Sequence, residues 1–132
     1  MFTHREREQR LYNVYHFRKI IYLSYSDANE AYEALEKYDD DSKYSIVLGY
    51  LAMSQQSYLE AMRIYFEKEL DHYEIENFFT AYEEYIFQLK KVITDKDQNT
   101  SWLFTSHEKL MDCWKSVDNF LGDWVNNNIK QK

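Results

Sequence analysis

A chain of 132 residues, 45% of them apolar, can bury a core without disulfides or a structural metal, and it is too apolar for a disordered segment. It has no proline, two glycines and one cysteine, which argues against turn-rich β architectures and a disulfide framework. The net charge of −7 is concentrated in residues 26–89, where fifteen carboxylates face four basic side chains, and that field repels nucleic acid and anionic membrane.

The composition predicts an all-α fold, a single helical domain over 1–132 built as a bundle of four to five helices. One cysteine suits a reducing compartment. The first ten residues lack the apolar run of a signal peptide, and no stretch approaches the roughly 18 apolar residues of a spanning helix. A soluble cytoplasmic protein is expected, in the host cytoplasm if the gene is viral.

The first segment, about 4–24, begins with Arg5, Arg7 and Arg10, interleaved with Glu6 and Glu8. These bases could meet phosphates as an N-terminal arm, giving one alternative function, a nucleic-acid-binding regulator. Pairing with the acidic middle of the same chain is the simpler expectation. Residues 11–25 are rich in β-branched and aromatic side chains, so propensity alone leaves strand and helix open. A lone strand would have unpaired edges, which favours the helix.

A link near Ser26 and a short second helix over about 28–38 follow, with Asp27 and Glu30 placed to cap it. Glu30, Glu33, Glu36, Asp39, Asp40 and Asp41 form a dense run of acids from this helix into its link, with Tyr44 just beyond. Such a run keeps a protein soluble. It also suits docking on a basic surface, and these seven residues are the candidate partner-binding site.

The third segment, about 42–69, is apolar nearly all round and predicts a central, largely buried helix, or one partly buried in a homodimer seam. Its polar edge is Gln56, Glu60, Arg63 and Glu67, spaced to pair along the helix. Leu48 to Leu70 resembles one tetratricopeptide unit: Leu48-Gly49, Tyr58, Ala61 and Tyr65 match, whereas Ala52 and Lys68 depart from the pattern. The resemblance covers 23 residues without a clean second repeat, and implies a peptide- or protein-docking groove.

The stretch EKELDHYEIE, Glu67 to Glu76, contains Glu69 and His72 at Glu-x-x-His spacing, as in metal-binding bundles. No second copy of that spacing exists in the chain, so a carboxylate/histidine metalloprotein is only an alternative. A capping box of Asp71 and Glu74, stapled by Leu70 and Ile75, accounts for more of these residues and predicts a corner between two helices.

The fourth helix, about 72–94, and the fifth, about 106–129, carry clean apolar stripes. Thr105 and Glu108 are placed as a capping box, and Trp102, Leu103 and Phe104 are expected to pack over the bundle end. Cys113 lies on the last stripe, where burial would raise its pKa. No nucleophile–base pair or Gly-rich phosphate loop appears, and neither a catalytic residue nor a cofactor is expected. The thirteen tyrosines divide into buried ones (Tyr32, Tyr58, Tyr65, Tyr82, Tyr85) and others (Tyr12, Tyr22, Tyr25, Tyr44, Tyr73) suited to an interface.

The function expected is a non-enzymatic protein-binding or regulatory protein acting through an acidic, tyrosine-bearing surface. A specific form is a phage- or plasmid-encoded inhibitor that docks on a basic, nucleic-acid-binding surface of a host protein. The partner expected is therefore a protein with a basic surface, with no membrane and no direct nucleic acid through the acidic middle.

Overall fold

The computed structural model describes residues 3–96 and 99–130 and is helical throughout, with no strand among them. Four helices follow in order: α1 His4–Lys37, α2 Ser42–Glu67, α3 Tyr73–Asp95 and α4 Ser101–Lys130. Helix α1 packs closely on α2 and on α4, and α3 packs closely on α4. The seam between α2 and α3 is the looser edge of the bundle.

The helices predicted over 4–24 and 28–38 are one continuous helix, with no link at Ser26. The reason lies in the apolar phase. Val14, Phe17, Ile21, Ser24, Ala28, Ala31 and Leu35 are all buried and alternate three- and four-residue steps without interruption. Ser26 and Asp27 are half-buried within the helix, so Asp27 caps nothing; with neither glycine nor proline nearby, nothing stops the ladder. The actual cap is Thr3, whose side chain accepts from the Glu6 N–H at 3.1 Å. Residues 11–25, open to either reading in the sequence, are helical.

Helix α2 is not buried on most sides as predicted. It carries two adjacent seams of the same heptad phase. Val47, Leu51, Ser54, Tyr58, Ala61 and Tyr65 are buried inside the bundle. One position along, Leu48, Ala52, Leu59 and Phe66 are exposed, with Gln55 and Met62 half-buried among them; Leu48 is 48% exposed and Leu59 and Phe66 each 65%. A helix with two apolar seams looks central in a helical projection, yet only one seam is fully buried within the chain. The Arg63 guanidinium bridges Glu60 and Glu67 on the polar edge, as expected from their spacing. Because α2 runs unbroken from Ser42 to Glu67, the helix–turn–helix of a tetratricopeptide unit is absent.

The turn between α2 and α3 is a Schellman-type stop. Glu69 takes a left-handed φ of 52°, and the Leu70 N–H donates to the Tyr65 carbonyl at 3.1 Å. The cap of α3 is His72 rather than Asp71. Its Nδ1 accepts from the Glu74 N–H at 3.2 Å, and its ring stacks on Phe120 at 3.8 Å. Asp71 instead accepts from the Tyr65 hydroxyl at 3.2 Å. Leu70 and Ile75 are both buried, but with His72 as the cap they no longer hold the two positions of a staple.

Helix α4 starts at Ser101, earlier than predicted, so Thr105 lies inside it and donates to the Ser101 carbonyl at 3.1 Å instead of capping. Asn99 accepts from the Ser101 N–H at 3.2 Å. Of Trp102, Leu103 and Phe104, only Leu103 is buried. Successive helical positions point about 100° apart, so three in a row cannot share one face, and Trp102 is left 71% exposed. The link predicted over Asp95 to Ser101 includes Asp97 and Gln98, which lie outside the described residues. No helix is long and apolar enough to cross a membrane among the described residues.

Candidate functional site

The candidate acids occupy the end of the bundle where α1 turns into α2, and they divide into two groups. Glu30, Glu33 and Glu36 are exposed on the last three turns of α1. The negative charge of Glu33 is felt at Tyr25 and His107, and that of Glu36 at Tyr32. Glu108, from α4, adds a third carboxylate to this side, where its field reaches both Tyr32 and His107.

These tyrosines belong to an aromatic ladder across the α1/α4 seam. Tyr25 stacks on Trp114 at 5.0 Å, and seven residues along each helix Tyr32 stacks on His107 at 3.9 Å. The two helices run in opposite directions, so heptad-spaced rings meet heptad-spaced rings. His107 is buried and its Nε2 lies 2.8 Å from the Asn29 Oδ1. Burial lowers the His107 pKa, with Glu33 and Glu108 opposing that effect. Burial, joined by Glu36 and Glu108, raises the Tyr32 phenol, so it stays a neutral hydrogen-bond donor.

Asp39, Asp40, Asp41 and Tyr44 form the second group, where much of the charge is already engaged. Asp40 accepts from the Ser42 N–H at 3.0 Å and from the Ser42 hydroxyl, and these bonds hold its carboxyl below the usual range. Asp41 lies 4.0 Å from the Lys96 ammonium. Tyr44 is half-buried, and its ring is approached by Lys43 at 5.3 Å and Lys96 at 5.7 Å. The chain's own cations thus cover the tyrosine that a basic partner would use. Asp39, beside Tyr38 and Lys43 on a 220 Å³ hollow, stays exposed.

The fields of Glu33, Glu36 and Glu108 thus meet at the Tyr25, Tyr32 and His107 rings, and Glu36 also lines the hollow shared by Asp39 and Tyr44. Sequence reasoning named Tyr25 as suited to an interface but missed Glu108, Tyr32 and His107 as members of this face. Their matching seven-residue spacings were visible, but only the pairing of α1 with α4 gives that spacing meaning. Among the other interface tyrosines, Tyr12, Tyr22 and Tyr73 are exposed.

The remaining constellations hold no assembled site. Glu69 and His72 straddle the turn between α2 and α3, and the His72 Nδ1 is engaged as a cap. Among the described residues, no group of three or more histidine, cysteine, aspartate or glutamate side chains is placed to hold a metal ion. Cys113 is half-buried, and burial raises its thiol pKa, the wrong direction for a nucleophile. Arg5, Arg7 and Arg10 are exposed on the first turns of α1, and no ion pair joins them to the acidic middle among the described residues.

Comparison of the chain with protein-family models, curated proteins and solved structures finds no match in any of the three.

Proposed function

We propose that this chain is a non-enzymatic binding protein that docks on a basic protein surface through the acidic, tyrosine-bearing face of the α1/α4 seam. The observation that carries this reading is that carboxylates from two helices act on the stacked Tyr32–His107 pair, Glu36 and Glu108 on Tyr32 and Glu33 and Glu108 on His107. Carboxylates there steer an approaching cation, and half-buried rings offer contact area at little entropic cost. Asp40, Asp41 and Tyr44, engaged within the chain, contribute less. A basic surface that normally holds nucleic acid is a natural target, and a phage- or plasmid-encoded inhibitor would use such a face on a host protein.

The test compares affinity capture from host lysate by the natural chain and by a variant carrying Glu33→Lys, Glu36→Lys and Glu108→Lys. All three positions are exposed, so helicity measured by circular dichroism should be unchanged. A partner retained by the natural chain, displaced by duplex DNA and lost from the variant supports the reading. A partner that binds both chains equally overturns it.

A further inference from the structure

The outer seam of α2 faces a groove, not bulk solvent alone. Leu48, Leu51, Ala52 and Gln55 line a cavity of about 330 Å³ with Lys90 and Ile93 of α3. Gln55 and Leu59 line a second, of about 350 Å³, with Glu83 and Ile86. The two hollows meet at Gln55 and together run along the α2/α3 seam.

The exposed face of α3 beside this groove reads Glu83-Glu84, then Phe87, then Lys90-Lys91. Phe87 is 60% exposed. The acids stand three and four residues before it and the bases three and four residues after it, so the charge sequence is antisymmetric about this one ring. Among the described residues none of these four charges is in an ion pair within the chain.

We infer that this face binds a second copy of the same chain, with the two α3 helices antiparallel about a twofold axis at Phe87. In that arrangement residues before Phe87 on one helix lie beside residues after it on the other. Glu83 then meets Lys90 of the second copy and Glu84 meets Lys91, with each pair on the same side of the contact. A parallel arrangement would set acid against acid. Antisymmetric charge is what an isologous interface needs, because each patch must be its own complement. The groove has the same property: on α3 one hollow is lined by Glu83 and Ile86 and the other by Lys90 and Ile93, so Phe87 lies between them in sequence and the axis exchanges one hollow for the other. The exposed apolar side chains that line the hollows, Leu48 and Leu59, flank that contact and supply apolar area for it to cover. The acidic α1/α4 face lies across the bundle and stays open, so a dimer would present two of them.

The test is the mass of the full chain by analytical ultracentrifugation across a range of concentrations. The natural chain should run at twice the 16.2 kDa of one copy. Phe87→Arg should weaken the dimer at least about tenfold, as should Glu83→Lys with Glu84→Lys, or Lys90→Glu with Lys91→Glu. An equimolar mixture of the two charge-reversed chains should recover a dimer, and so should a single chain carrying all four reversals. Every substituted position is exposed, and circular dichroism checks that each variant remains helical. A natural chain that stays monomeric overturns the inference. So does a dimer indifferent to the reversals, or reversed chains that fail to recover it when mixed.

Discussion

The α1/α2 and α2/α3 seams use the same heptad spacing and end as different objects. Against α2, α1 presents Ser24, Ala28 and Ala31, all fully buried, and the small side chains let the backbones approach. The Ser54 hydroxyl reaches the Ser24 carbonyl at 2.7 Å. Against α3, α2 presents Tyr58 and Tyr65, met by Phe79 and Tyr82. Tyr58 stacks on Tyr82 at 4.0 Å and meets Phe79 edge-on at 5.5 Å, while Tyr65 meets Phe79 edge-on at 5.3 Å. Rings hold those two helices apart and leave the groove above them. Side-chain volume, not periodicity, decides whether a seam closes.

Removing a spacer should do the most damage. Tyr82→Ala deletes a ring that is 1% exposed, stacked on Tyr58 and bonded through its hydroxyl to Ser54 at 2.7 Å. A loss of about 3 to 5 kcal/mol is expected in urea unfolding. Burial pushes the Tyr82 phenol up to about 12, so the ring is neutral throughout the usual pH range.

Filling the close seam should cost less. Ala28→Leu forces a branched side chain between α1 and α2, where a methyl now sits, and a loss of about 1 to 3 kcal/mol is expected by the same assay. If the substitution proved harmless, the close approach of these helices would not depend on small residues.

The α1/α4 seam supplies a comparison in pH. Burial holds the His107 pKa below its unfolded value, so its contribution to stability is fully present above the ordinary imidazole pKa. That contribution is lost as pH falls through the folded value. The natural chain should therefore lose stability on acidification from about pH 7.5 to about pH 5 more steeply than His107→Gln, which keeps a donor for Asn29. Parallel profiles would mean that His107 is not held neutral.

The smallest effect belongs to the outer seam. Leu59→Gln at a 65% exposed position should change the stability of the isolated chain by no more than about 0.5 kcal/mol, read from thermal unfolding of dilute protein. A loss as large as that for Ala28→Leu would place Leu59 inside the core.

The helical class, and the stripes that became the buried faces of α3 and α4, were legible in the sequence because apolar spacing reports burial directly. The break at Ser26 was read from local polarity, although the steps from Val14 to Leu35 ran through it unchanged. The apolar excess of α2 was visible, but its division into an inner and an outer seam was not, since composition cannot say how many neighbours a helix has. At the candidate site, the acids of α1 were plain from the sequence. Their company was not, because Glu108 and His107 arrive only through the packing of α4. The engagement of Tyr44 by Lys96 likewise depends on where the end of α3 lies.

Few residues separate α1 from α2 and α3 from α4 in the sequence, and each of these pairs is also tightly packed. Neighbours in sequence are thus neighbours in space, the arrangement associated with fast folding, since little loop entropy must be overcome first. Each hairpin thus has a close seam of its own, and the two meet through the aromatic ladder and the ring layer. Amide hydrogen exchange should accordingly resolve two cooperative units, with protection lost across a whole hairpin at a time and not helix by helix.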